Sequence, residues 1–137
     1  MPAKRFVAVL NKKIEPGQAL NALGHMTAGL VGTVENTDEL EIIDYADQDG
    51  GTHLASKRPF IVLRADNSNK IRTLRKRLIE KGLLFASFTS AMTVGGWEEQ
   101  VERSKATPEE ELEYYGVCTF GEKADLDEPP RKVSLWN

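Results

Sequence analysis

The stretch that decides the fold is Pro16-Gly-Gln-Ala-Leu-Asn-Ala-Leu-Gly-His-Met-Thr-Ala-Gly-Leu-Val-Gly-Thr-Val34, which follows the apolar run Arg5-Phe-Val-Ala-Val-Leu10. At about 100° per residue, Leu20, Leu23, Met26, Leu30, Val31 and Val34 share one arc of a helix, and Gln18, Asn21, His25, Ala28, Gly29 and Gly32 share the opposite arc. Pro16 suits the first helical position, where its missing N–H has no helical partner to lose. An exposed helix face ordinarily carries Lys and Glu; this one carries small and uncharged polar groups. Each interior Gly costs roughly 1 kcal/mol of helix stability relative to Ala, so Gly29 and Gly32 predict that protein or ligand approaches the backbone there.

Working outward, Arg5 to Leu10 is rich in β-formers, ends at Asn11-Lys-Lys13 and predicts a buried strand. Glu41-Ile-Ile-Asp-Tyr45 predicts a short strand before the turn-rich Asp47-Gln-Asp-Gly-Gly51, and Phe60 to Arg64 a second core strand. Asp66-Asn-Ser-Asn69 offers N-caps to a helix whose Ile71, Leu74 and Leu78 stripe stops at Gly82. Leu83 to Val94 alternates as one strand, with Phe85, Ser87, Thr89, Ala91 and Thr93 on a hydroxyl-rich face. Gly95-Gly96 break it, and a helix follows from about Trp97 to Lys105. Thr107-Pro-Glu-Glu110 has the form of a capping box for a short helix closed by Gly116. Gly116 to Phe120 predicts a strand, Glu122 to Pro130 an acidic loop, and Lys132 to Trp136 a final strand. Strands alternating with helices over 137 residues predict one domain, 1–137, of the α/β class: three layers, α/β/α, around a small mixed β-sheet.

Bulk properties narrow the function classes. A chain of this length buries a core without staples. The one cysteine, Cys118, excludes an internal disulfide and in its Val-Cys-Thr-Phe setting reads as a small core residue. No stretch has the length of a membrane span and no basic segment with a long apolar run opens the chain, so a soluble, cytoplasmic protein with no membrane partner is expected. The net charge of −3 conceals an asymmetry: Lys70 to Lys81 is basic and Glu98 to Glu128 acidic. These are expected to be solvated faces that attract one another, within the chain or across a subunit contact, in preference to a nucleic-acid surface.

Little in the sequence points to a named chemistry. His25 and His53 lie in different elements with no cysteine pair beside them, so no metal site is expected. No phosphate loop, dinucleotide fingerprint or nucleophile elbow occurs, and no cofactor is implied. His25 stands over Asn21, Gly29 and Gln18, an uncharged floor on which it binds, relays a proton, or serves only as a hydrogen-bonded packing residue. Thr89 and Thr93 are the hydroxyls available to it.

Three features together resemble a known architecture: Gly17-Gln-Ala-Leu-Asn-Ala-Leu-Gly-His-Met26 after an N-terminal strand, Pro59-Phe-Ile-Val-Leu-Arg64, and the closing Val133-Ser-Leu-Trp136. The chain is similar to the peptidyl-tRNA hydrolases of the archaeal and eukaryotic type (type II), and more closely to a family of small, mostly bacterial uncharacterised proteins with that fold. In the hydrolases a lysine follows the helix-starting glycine; here that position is Gln18, which hydrogen-bonds but supplies no cation. The hydrolases also carry an aspartate on the later strand, and Phe85 to Val94 contains no acid. His25 matches the family's helix histidine. The resemblance therefore implies the fold and a retained cleft, with peptidyl-tRNA hydrolysis weak or absent.

The expectation from the sequence is a binding protein for a small molecule or peptide, with Gln18, Asn21, His25 and Thr89 as ligand-binding residues and tRNA as a less favoured partner. The alternative is a hydrolase of an ester or amide, with His25 and Thr89 or Thr93 as catalytic candidates and Gln18 steadying an oxyanion. A third reading makes the Gly-bearing stripe the interface of a homodimer.

Overall fold

The computed structural model describes residues 3–126 and 134–135. A central strand β1 (Lys4–Asn11) leads into helix α1 (Pro16–Gly32), a 3-10 turn at Thr37–Leu40 and a hairpin of β2 (Ile42–Asp44) and β3 (Leu54–Ser56). Strand β4 (Phe60–Ala65), helix α2 (Ser68–Glu80) and strand β5 (Leu84–Thr89) follow. Helix α3 (Trp97–Ala106), strand β6 (Tyr114–Glu122), a short helix α4 (Lys123–Leu126) and β7 (Ser134–Leu135) complete the described elements. The main sheet has the order β5-β6-β1-β4-β7, with β1 and β4 parallel and the other neighbours antiparallel; β2 and β3 form a separate two-stranded sheet.

The period-two alternation of β1 builds the layers. Phe6, Ala8 and Leu10 point to the α1 side with Met26, Leu30, Cys118 and Phe120, while Val7 and Val9 point to the α2 side with Ile71, Leu78 and Val117. Helices thus lie on both faces of a mixed sheet. The Phe6 ring stacks on Phe60 with centroids 5.0 Å apart and leans on Phe120 at 4.6 Å, fixing β4 and β6 beside β1. Asn11, buried where β1 ends, donates to the Tyr114 carbonyl at 3.0 Å and accepts from Lys13 N–H at 2.9 Å, so its amide is not orphaned.

Several expectations are corrected. Helix α1 meets the sheet through Ala19, Ala22, Met26 and Leu30, and Leu20 is 58% exposed. The apolar arc is rotated because small alanines let the helix axis approach the sheet, which turns Leu20 onto the flank. A Cβ built on Gly24, Gly29 or Gly32 meets nothing within 4 Å, so no described part of the chain approaches the backbone there. The strand expected from Leu83 to Val94 stops at Thr89; Ser90–Met92 is a 3-10 turn, and Thr93 leaves the sheet with it. No capping box forms at Thr107: its hydroxyl donates back to Arg103 O at 2.7 Å, and only a 3-10 turn, Glu109–Glu111, follows.

Gly116 closes no helix. It lies inside β6, where a Cβ would sit 2.8 Å from Leu10 Cδ2, 2.9 Å from Met26 Cε and 3.0 Å from the Val9 carbonyl oxygen. Part of the expected acidic loop, Lys123–Leu126, is helical; residues 127–130 lie outside the described residues, as do the ends of the expected strand Lys132 to Trp136. Within that strand, Ser134 and Leu135 pair with Arg64 and Leu63.

Candidate functional site

Pro16 starts α1 directly after a tight bend in which Ile14 N–H donates to Asn11 O at 3.1 Å. That bend sets the first turns of α1 beside the end of β5 and the 3-10 turn after it. Between them opens a cleft of about 600 Å³ lined by Glu15, Gly17, Gln18, Asn21, His25, Phe88, Met92, Thr93, Gln100 and Tyr115. Gln18, Asn21 and His25 are one helical turn apart, so they present a row along the open side.

Aromatic rings form one wall. The His25 ring stacks near-parallel on Phe88, with centroids 5.8 Å apart and planes at 30°, and Phe88 leans on Tyr115 at 5.8 Å and 45°. Phe88 and Tyr115 are buried, so the histidine is the outermost of the three rings. Neutral hydrogen-bonding groups, the carboxamides of Gln18, Asn21 and Gln100, surround them. Among the described residues, Glu15 is the only carboxylate in the lining, and neither lysine nor arginine belongs to it. The Gln100 amide donates to Gly95 O at 3.1 Å, which ties α3 to the turn it follows.

The two expected hydroxyls fare differently. Thr93 lines the cleft, but its Oγ1 donates to Ser90 O at 2.7 Å. Thr89 is not among the lining residues: it is buried at the start of the 3-10 turn, and its N–H donates to Met92 Sδ at 3.4 Å. The sequence does not indicate Glu15, Phe88, Met92, Gln100 or Tyr115, because each comes to the cleft through tertiary contact. Only the strand position of Phe88 carries a signal, since it shares a face with Ala86 in the alternation of β5.

A second concavity of about 540 Å³ lies between α2 and the sheet over Val7, Val9, Ile61, Leu63 and Val117, with Arg5, Arg77 and Lys81 at its rim. Nearby, Asn67 caps α2 by accepting Lys70 N–H at 3.0 Å. Asp66 lies 2.9 Å from Lys12 Nζ and 3.1 Å from Lys70 Nζ, and these two ammoniums bring its carboxyl down to about 2. The attraction foreseen between basic and acidic segments is met inside the chain by Arg72, whose Nε donates to Glu109 Oε2 at 2.9 Å. The Tyr114 hydroxyl donates to the same oxygen at 2.8 Å, which with Arg72 lowers the Glu109 carboxyl, while burial first and Glu109 second raise the Tyr114 phenol.

Comparison with known proteins gives a family and a fold but no activity. Residues 4–137 match the model of a family described as "Protein of unknown function (DUF2000)", and the chain belongs to that family. It is similar to the solved structure of Atu0240, a protein of unknown function from Agrobacterium tumefaciens str. C58, with a TM-score of 0.84 at 18% identity over 100% of both chains. At that identity the likeness speaks to fold alone. No curated protein matches the chain.

Proposed function

We propose that the cleft at the start of α1 binds a small molecule or peptide that carries a planar group and amide-like hydrogen-bonding edges, in a cytoplasmic protein of peptidyl-tRNA hydrolase-like fold that does not efficiently hydrolyse peptidyl-tRNA. The observation that carries this reading is the lining itself: His25 stacked on Phe88, with Tyr115 tilted behind it, beside three carboxamides, and with Glu15 the sole carboxylate and no lysine or arginine among the described residues that line it. Planar groups stack on such a wall, and carboxamides pair with donors and acceptors alike. A lining whose described charged side chain is a carboxylate favours an amine over phosphate. Gln18 stands where the hydrolases that the chain resembles have lysine, and β5 carries no acid, so neither an ammonium nor a strand carboxylate serves a hydrolytic water.

The hydrolase alternative through His25 and a hydroxyl draws no support from the side chains. Thr89 lies buried outside the cleft lining, and the Thr93 proton goes to Ser90 O. The test pairs turnover with binding. Purified protein should release peptide from peptidyl-tRNA no faster than buffer. A panel of planar amines and amides, matched to carboxylate analogues of the same rings, should yield binders on the amine and amide side. Asn21→Ala and His25→Ala should each weaken the best of them about tenfold, about the loss of one hydrogen-bonding or stacking contact, with melting behaviour retained. Rapid peptide release, or binding confined to the carboxylates, would overturn the reading.

A further inference from the structure

The main sheet is unevenly covered on its α2 side. Helix α2 packs chiefly against β6, and beneath it Val9 and Val117 are buried. Val7 of β1 and its register partner Ile61 of β4 point the same way, as does Leu63, yet all three are only partly buried. Leu74 of α2, which faces them, is partly buried too. Parallel neighbours such as β1 and β4 are ordinarily covered on both faces, so apolar side chains left half-open at the centre of a sheet mark a place for an occupant. The cavity over these four side chains, about 540 Å³, falls within the roughly 300–1,000 Å³ of small-molecule sites.

The lining defines the chemistry of that occupant. Among the described lining residues none is aromatic, and the Thr119 hydroxyl already donates to Leu84 O at 2.7 Å. The floor therefore suits a flexible hydrocarbon rather than a stacked ring or a polar group. Charge collects at one end. Helix α2 leaves the end of β4 and runs back along the sheet, which brings Arg77 and Lys81 on its last turns, one helical face with Leu74, over the start of β1, where Arg5 stands. Lys81 Nζ donates to Asp125 O at 3.2 Å, and Asp125 supplies the one carboxylate of the described lining. The guanidiniums of Arg5 and Arg77 make no hydrogen bond or ion pair with a described residue.

We infer that this cavity binds a single-chain fatty carboxylate, its tail over Val7, Ile61, Leu63 and Leu74 and its head between Arg5 and Arg77. A guanidinium pairs with a carboxylate through two parallel N–H···O bonds, and the tail removes the half-open floor from water. The site lies across the sheet from the α1 cleft and does not depend on what that cleft binds.

Titration calorimetry with octanoate, decanoate and dodecanoate, each below its micellar concentration, tests it. Binding should be saturable and tighten about tenfold with each step in tail length, as further methylenes leave water. Dodecylammonium, the same tail with a cationic head, should bind about tenfold more weakly than dodecanoate or worse. Arg5→Gln and Arg77→Gln should each weaken dodecanoate about tenfold and leave the binding of uncharged decanol unchanged. Arg77 is exposed, so its variant carries the test should the Arg5 variant unfold. In wild-type protein, dodecanoate should shift the backbone amides of Val7, Ile61, Leu63 and Leu74. No saturable binding of any of the three acids overturns the inference. So does equal affinity for dodecylammonium, indifference to the arginine changes, or amide shifts gathered instead at Gln18, Asn21 and His25.

Discussion

Gly116 is the residue at which one added methyl does most harm. Its Cβ would sit inside contact distance of Leu10, Met26 and the Val9 carbonyl, and the last of these is backbone that does not swing aside. Gly116→Ala should cost about 1–3 kcal/mol in urea unfolding, the usual range for overpacking a core. Cys118 makes the opposite kind of prediction. Burial pushes its thiol up to about 12, so native protein at pH 8 should resist iodoacetamide, and alkylation should appear only as the molecule unfolds. Asp66 sets a pH dependence. Lys12 and then Lys70 hold its carboxyl at about 2, below the ordinary 3.8, so its contribution is present above about pH 4 and is lost as pH falls toward 2. Asp66→Asn should flatten that limb of the acid-unfolding curve. Of these residues, only Cys118 was legible as core from its neighbours in sequence. Gly116 looks like a helix terminator because nothing local reveals Leu10 and Met26 facing it, and Thr89 looks like a cleft hydroxyl because the run Ser90-Ala-Met-Thr93 contains no glycine or proline to betray the turn that begins there.

At the scale of elements, periodicity carried well where the period was long and failed where the chain was short. Helices α1 and α2 follow from the spacing of their apolar residues and strands β1 and β4 from their apolar runs, whereas β6 begins at Tyr114, inside the segment that reads as a helix closed by Gly116. Strand β3 was missed, since Leu54-Ala-Ser56 alternates too briefly to register, and with it the hairpin. The exposed glycines of α1 make a direct test of how that helix is used. A methyl at Gly29 or Gly32 meets open space, so Gly29→Ala and Gly32→Ala should each stabilise the protein by roughly 0.5–1 kcal/mol through helix propensity. Loss of stability on either change would mean that something does cover that stripe. On the buried side, Leu30 is fully enclosed between α1 and the sheet, and Leu30→Ala should cost about 2–5 kcal/mol.

Across the whole molecule, a mixed sheet carries a helix on each face, a hairpin set apart from both, and one cleft at the start of α1 that gathers Gln18, Asn21, His25 and Thr93 with Phe88, Gln100 and Tyr115. The helix half of that lining was legible because residues spaced three and four apart share a face whatever surrounds them. The other half was not, because Gln100 and Tyr115 reach the cleft from separate elements far along the chain. A titration of isotope-labelled protein with the panel of planar amines and amides, read residue by residue from backbone amide shifts, tests the binding account most directly. It predicts that the perturbed amides cluster on Gln18, Asn21, His25, Phe88 and Gln100; perturbations gathered instead over Val7, Leu63 and Leu74 beneath α2, or none anywhere in the chain, would contradict it.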